Sequence, residues 1–172
     1  MNPTQKPIHT PGALADLTPA DILRCAARYL EVHGWNQGTY YPPTDDNPFP
    51  PACVSAAIGM ATHGHRMPVP HEVKNASALR EYSRAIDALS DFLSIDEPSS
   101  WTSGDGDPTC PFTWNDRPAQ TAEQVIATLR AAADDYDWSH ATEDQLESYA
   151  ESALANDTLP TREGFLAWLG AR

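Results

Sequence analysis

Threonine followed three residues later by an acid or an amide, at the head of an apolar pattern of helical period, recurs along this chain and commits most of it to α-helix. Thr18-Pro19-Ala20-Asp21 supplies a capping hydroxyl, a proline suited to the first helical position and an acid favoured by the helix dipole. Ile22, Cys25, Ala26, Tyr29 and Leu30 follow on one face, and His33 with Gly34 marks the end. Thr121 with Gln124, and Thr142 with Gln145, have the spacing of a reciprocal cap, in which each side chain satisfies the other residue's free amide. Val125, Ile126, Leu129, Ala132 and Tyr136 form the apolar face behind the first, and Leu146, Tyr149, Ala150, Ala153 and Leu154 that behind the second. Thr161 starts a last short helix carrying Phe165, Leu166, Trp168 and Leu169.

Two helices lack this threonine signature. The small residues from Ala52 to Thr62 predict a short helix with Val54, Ala57, Ile58 and Ala61 inward, and Gly64 lies near its end. From Asn75 or Ser77 to about Ile95, Leu79, Tyr82, Ile86, Leu89 and Leu93 are spaced as a seam. Sixteen prolines against nine glycines imply long, stiff connections. Residues 35–51 and Pro98 to Pro118 read as two such loops, rich in proline and anchored by aromatics: Trp35, Tyr40, Tyr41 and Phe49 in one, Trp101, Phe112 and Trp114 in the other. No alternating segment is long enough for a strand. The expected fold is therefore all-α, a compact bundle of about five to six helices. Residues 1–17 are expected to form a flexible arm and residues 18–172 a single helical domain, with 140–172 as a C-terminal extension.

Charge and cysteines narrow the function. With 24 acidic and 11 basic side chains the net charge is −13, a field that repels a phosphate backbone, so direct nucleic-acid binding is not expected. Residues 121–172 carry ten of the acids and three of the basic residues, the more acidic share. Three cysteines, Cys25, Cys53 and Cys110, are odd in number and without CxxC spacing, which fits free thiols in a reducing, cytoplasmic setting. The N-terminus lacks the charged start and apolar run of an export signal, and no stretch approaches the roughly 20 apolar residues of a membrane span.

Gly34-Trp35-Asn36-Gln37-Gly38 after the first helix, Cys53 at the opening of the second, and Trp114-Asn115-Asp116-Arg117-Pro118 before Thr121-Ala122-Glu123-Gln124-Val125 form a pattern. Over about residues 18–136 the chain resembles an uncharacterised family of small bacterial and phage domains of unknown function. The likeness lies in a G-W-x-Q-G turn, a cysteine followed by small residues, and a W-N-D-x-P segment leading into a T-x-E-x-V helix. The family's usual pattern has glycine three residues after the cysteine, where this chain has Ala56. The resemblance implies a domain and no particular activity, and it leaves residues 140–172 outside.

Cys53 is the most suggestive side chain, because a thiol in the first turn of a helix feels the positive dipole end and can become a nucleophile. His33 is the candidate base and Asn115 or Asp116 the orienting group. The competing reading is a small buried core residue, given Val54, Ala57 and Ile58 beside it, and it is the favoured one. Trp35, Tyr40, Trp114 and Asn115 are candidate ligand contacts, set on aromatic-anchored loops, although Trp114 as a core plug beside a capped helix is the plainer account. His63, His65 and His71 supply ligand types that zinc accepts, but their spacing matches no zinc signature. Asp105-Gly106-Asp107 lacks the later ligands of a calcium loop, so no metal and no cofactor are assigned.

The acidic stretch Asp134-Asp135-Tyr136-Asp137, with Glu143, Asp144, Glu147 and Glu151, is either a solvated helical face or an imitation of phosphates aimed at a basic protein. The reading that follows is a small acidic accessory or binding protein whose partner is a small molecule or a protein. The alternatives are a cysteine-dependent enzyme of small-molecule or acyl chemistry and a nucleic-acid mimic.

Overall fold

The structure, a computed structural model, describes residues 17–43, 46–71, 75–95 and 109–171. Among the described residues seven helices follow one another: α1 Pro19–His33, α2 Val54–His63, α3 Ala76–Ser94, α4 Pro111–Asn115, α5 Ala122–Ser139, α6 Glu143–Ala155 and α7 Arg162–Gly170. Among the described residues the only sheet-like pairing is one parallel bridge between Trp35 and Ala52. The all-α class is as expected. Residues 1–16 of the expected 1–17 arm, Trp101 and Asp105-Gly106-Asp107 lie outside the described residues, while Leu17 packs against the core.

The threonine caps form as read. Thr18, Thr121 and Thr142 each accept from the amide three residues on, while Asp21, Gln124 and Gln145 reach back to the cap amides; Thr161 accepts from the Gly164 amide. Asn75 caps α3 by accepting from Ser77 and Ala78.

The helix count exceeds the expected five to six because α4 lies within the stretch read as loop. Its five residues are too few to show a period, although Pro111 stands at a favoured first position. A second correction concerns α1, whose buried stripe is Ile22, Leu23, Ala26, Ala27 and Leu30, while Cys25 is exposed and Tyr29 half-buried. The stripe is rotated because α1 packs on α5 along one side and on α2 along the other.

Helix α2 starts two residues later than expected, with Cys53 as its N-cap, and is buried from Val54 through Met60. A helix apolar on all sides belongs at the centre of a bundle, and α2 sits there between α1 and α3, with α4 against its start. At Gly59 a Cβ would stand 2.9 Å from Pro70, so the lack of a side chain is what lets the 64–71 segment lie against α2. Ser55 and Tyr82 join their hydroxyls inside this core, linking α2 to α3. Arg130 reaches Glu31 at 2.7 Å, and Arg24 spans from α1 to Asp134 and Asp137 on α5, both at 2.6 Å; being part-exposed, the two Arg24 pairs add at most about 1 kcal/mol each.

A second, smaller apolar cluster forms at the C-terminal end from Tyr149, Ala153 and Phe165, with Leu166, Trp168 and Leu169 packed around it. It joins the main bundle through α7, which lies on α5 and is tied to it by Arg162 and Asp135 at 2.9 Å. The Tyr149 hydroxyl accepts from the Thr161 amide at 3.0 Å, fixing the turn into α7.

Candidate functional site

Two loop segments far apart in the chain interlock over the start of α2. Their hub is Asn115, the last residue of α4, whose side chain is 1% exposed. Its Oδ1 accepts from the Trp35 indole at 2.8 Å and from the Val54 amide at 3.1 Å. Its Nδ2 donates to the Asn36 carbonyl at 3.3 Å and to Asp116 Oδ1 at 2.7 Å. A primary amide offers two acceptor and two donor positions, and all four are used.

The surrounding bonds extend the lock. Asp116 Oδ1 also accepts from the Gly38 amide at 2.9 Å, and Gln37 donates to the carbonyls of Asn115 at 3.0 Å and Arg117 at 3.2 Å. Gly38 has φ 77°, a conformation that a Cβ disfavours, and this turns its N–H toward the carboxylate. The Cys53 amide donates to the Tyr40 carbonyl at 3.0 Å, while Asn36 and Ala52 tie the loop ends by donating to Ala52 and Gly34 carbonyls at 3.0 and 3.1 Å. The Gly34–Gly38 turn, the start of α2 and the Trp114–Arg117 segment are thus parts of one polar network.

Beside this lock lies a cavity of about 350 Å3 lined by residues 38–40, Cys53, Ser55, Phe112, Asn115 and Asp116. That size falls within the range of small-molecule sites. Tyr40 and Phe112 meet edge to face at 6.2 Å between ring centres. The structure brings four sequence-chosen residues, Tyr40, Cys53, Asn115 and Asp116, to this cavity. Trp35 and Trp114 stand outside its lining, Trp35 as a donor to the lock and Trp114 as a buried core residue. His33 stacks on Phe49 at 5.5 Å, meets the tilted ring of Tyr29 at 4.6 Å, and is also outside the lining.

Burial pushes the Cys53 thiol up from its ordinary pKa and the neighbouring Asp116 charge adds to this; the amides of Ser55 and Ala56 at the start of α2 oppose the rise without cancelling it. The thiol is 7% exposed and stays protonated at neutral pH. The dipole argument for a nucleophile therefore loses here to desolvation.

Of the three histidines weighed as zinc ligands, two meet the backbone and the third meets a side chain. His63 hydrogen-bonds the Pro70 carbonyl at 3.3 Å, His65 the His63 carbonyl at 2.8 Å, and His71 meets the Tyr40 hydroxyl at 3.5 Å. Among the described residues no three histidine, cysteine or carboxylate side chains converge as metal ligands. Thr39 and Ser55 were not singled out by sequence, and Phe112 only as an aromatic anchor of its loop. Ser55 carried a faint signal, a hydroxyl inside an apolar helix, which needs a partner when buried.

These features define a class: an all-α bundle in which a loop-borne amide lock closes one wall of a small mixed-polarity cavity. The chain belongs to a family of unknown function, DUF6197, which it matches over residues 14–135. No curated protein and no solved structure matches it. The match ends within α5, so α6 and α7 lie beyond it. No helix among the described residues is long and apolar enough to cross a membrane.

Proposed function

We propose that this chain is a small acidic binding protein whose cavity holds a small organic cation, an amine attached to a compact apolar body. The observation that carries this reading is the division of the Asp116 carboxylate. Its Oδ1 is committed to Gly38 and Asn115, and its Oδ2 has no partner among the described residues. With the Cys53 thiol neutral, Asp116 is the one anion in the lining, and the rings of Tyr40 and Phe112 offer an apolar wall beside it. The net charge of −13 raises the local concentration of cations around such a site. The free thiols and the bacterial and phage resemblance support a cytoplasmic accessory role.

Calorimetry with phenethylamine and with its charge-reversed counterpart phenylacetate tests this directly. The amine is expected to bind and the acid not to. Asp116→Asn keeps an acceptor for Gly38 and Asn115, so it should leave the fold intact while reducing amine affinity about tenfold or more. Equal binding of amine and acid, or amine binding unaffected by Asp116→Asn, would count against the reading.

The cysteine-enzyme alternative is separated by thiol chemistry. Iodoacetamide at neutral pH is expected to label exposed Cys25 before Cys53, and Cys53→Ser is expected to cost about 1–3 kcal/mol of stability. Selective fast labelling of Cys53 with unchanged stability of Cys53→Ser would favour an enzyme. The mimic alternative is weakened by the engagement of Asp134 and Asp137 with Arg24 and of Asp135 with Arg162.

A further inference from the structure

Residues 131–161 hold eight aspartates and glutamates and neither lysine nor arginine. Three of the eight, on α5, are the ion-paired Asp134, Asp135 and Asp137. The other five, on α6 and the turn after it, form no ion pair among the described residues. Glu143 and Asp144 stand in the first turn of α6, where the helix dipole favours acids, but Glu147 and Glu151 have no such role.

The same helix exposes apolar side chains. Leu146 is 38% exposed and Leu154 62%, and Leu159 in the following turn is 82% exposed. At about 100° per residue, Leu146, Ala150 and Leu154 fall on one side of α6 together with Glu143 and Glu147. The buried residues Tyr149 and Ala153 adjoin this side, with Leu146 at the boundary about 20° from Ala153 and Leu154 about 100° from it. Leu154 and the outer part of Leu146 are thus exposed at the edge of the buried face, beside carboxylates that form no ion pair among the described residues.

Next to this edge lies an apolar cleft of about 210 Å3 lined by Trp138, Leu146, Tyr149, Pro160, Thr161 and Arg162. Its volume is below the roughly 300 Å3 at which small-molecule sites begin, and it suits a single large apolar side chain. Its one cation, Arg162, is taken up by Asp135 at 2.9 Å and lies over the Trp138 ring at 6.0 Å.

We infer that the outer face of α6 and this adjoining cleft dock a cationic amphipathic helix of a partner protein. One apolar side chain of that helix enters the cleft, its apolar stripe covers Leu146 and Leu154, and flanking lysines or arginines meet Glu143, Glu147 and Glu151. Charge complementarity selects this occupant. A second copy of the chain, at −13, would bring acid against acid, and nucleic acid would be repelled from the same face. The surface lies beyond the stretch matching the family, so it is an addition to the cavity-bearing bundle and independent of the ligand proposed there.

Fluorescence anisotropy with the full chain and a labelled helical peptide of leucine and lysine tests the inference. Binding is expected, weakening about tenfold or more as salt rises from about 0.1 M to about 1 M and the screening length falls from about 10 to about 3 Å. Leu146→Ser and Leu154→Ser, both at exposed positions, should each weaken it about fivefold or more. Glu147→Gln combined with Glu151→Gln should weaken it and flatten the salt dependence. A lysine and serine peptide of equal charge that binds as tightly would overturn the inference. So would indifference to both leucine substitutions, or sedimentation showing a dimer closed over α6.

Discussion

Asn115→Ala is expected to lower the unfolding free energy by about 3–5 kcal/mol, because it strands two donors at about 1–3 kcal/mol each, with a smaller loss at the Asn36 carbonyl. Those donors are the Trp35 indole and the Val54 amide, which share Asn115 Oδ1 at 2.8 and 3.1 Å. Val54 is fully buried, so water cannot replace what the amide supplied. Gln37→Ala removes two bonds, against four for Asn115, from an exposed side chain and should cost only about 0.5–1.5 kcal/mol. Urea unfolding of both variants compares the buried hub with an exposed donor of the same network. A cost below about 1 kcal/mol for Asn115→Ala would mean that the two loops are held together by other contacts.

Phe165→Ala is expected to remove about 3–5 kcal/mol from the C-terminal cluster while leaving the main bundle largely protected. Phe165 is fully buried, with its ring centre 5.8 Å from that of Tyr149, 5.7 Å from Trp138 and 6.0 Å from Trp168. The cluster has few other large apolar members, so there is little to collapse into the space left. Amide hydrogen exchange should accelerate through α6 and α7, and much less in α1 and α2. Uniform acceleration across all the helices would instead show one cooperative unit. Because the exposed leucines of α6 adjoin this cluster, the same variant should also lose the lysine–leucine peptide.

Most of the helical architecture was legible because its signals are local. A threonine hydroxyl and the side chain three residues later act within one turn, so Thr18, Thr121, Thr142 and Thr161 could be read without knowing what packs where. The position of the buried stripe on α1 was less legible. Cys25 and Leu23 are both compatible with a helical period, and the choice between them depends on where α5 lies. Helix α4 escaped because five residues give no repeat.

The site was legible as pieces and not as an arrangement. The Gly34–Gly38 turn and the Trp114–Pro118 segment stood out, but that Asn115 would reach Trp35 across 80 positions depends on the packing of α4 on α2. His33 looked suitable as a base from its chemistry alone; in the fold its ring is occupied by Tyr29 and Phe49. Tyr82 could be recognised as part of the α3 seam, whereas its hydroxyl partner Ser55 became apparent only once α2 was placed at the centre.

The parallel bridge between Trp35 and Ala52 makes the intervening segment a ring whose ends are already clasped. Lengthening a closed ring is entropically mild: each doubling of its length costs only about 0.6 kcal/mol. Asp46 and Asn47 are exposed on that ring, five to six residues before its Ala52 end. An epitope or a fluorescent reporter inserted between them would be carried as a pendant, with the clasp insulating the bundle from its cargo.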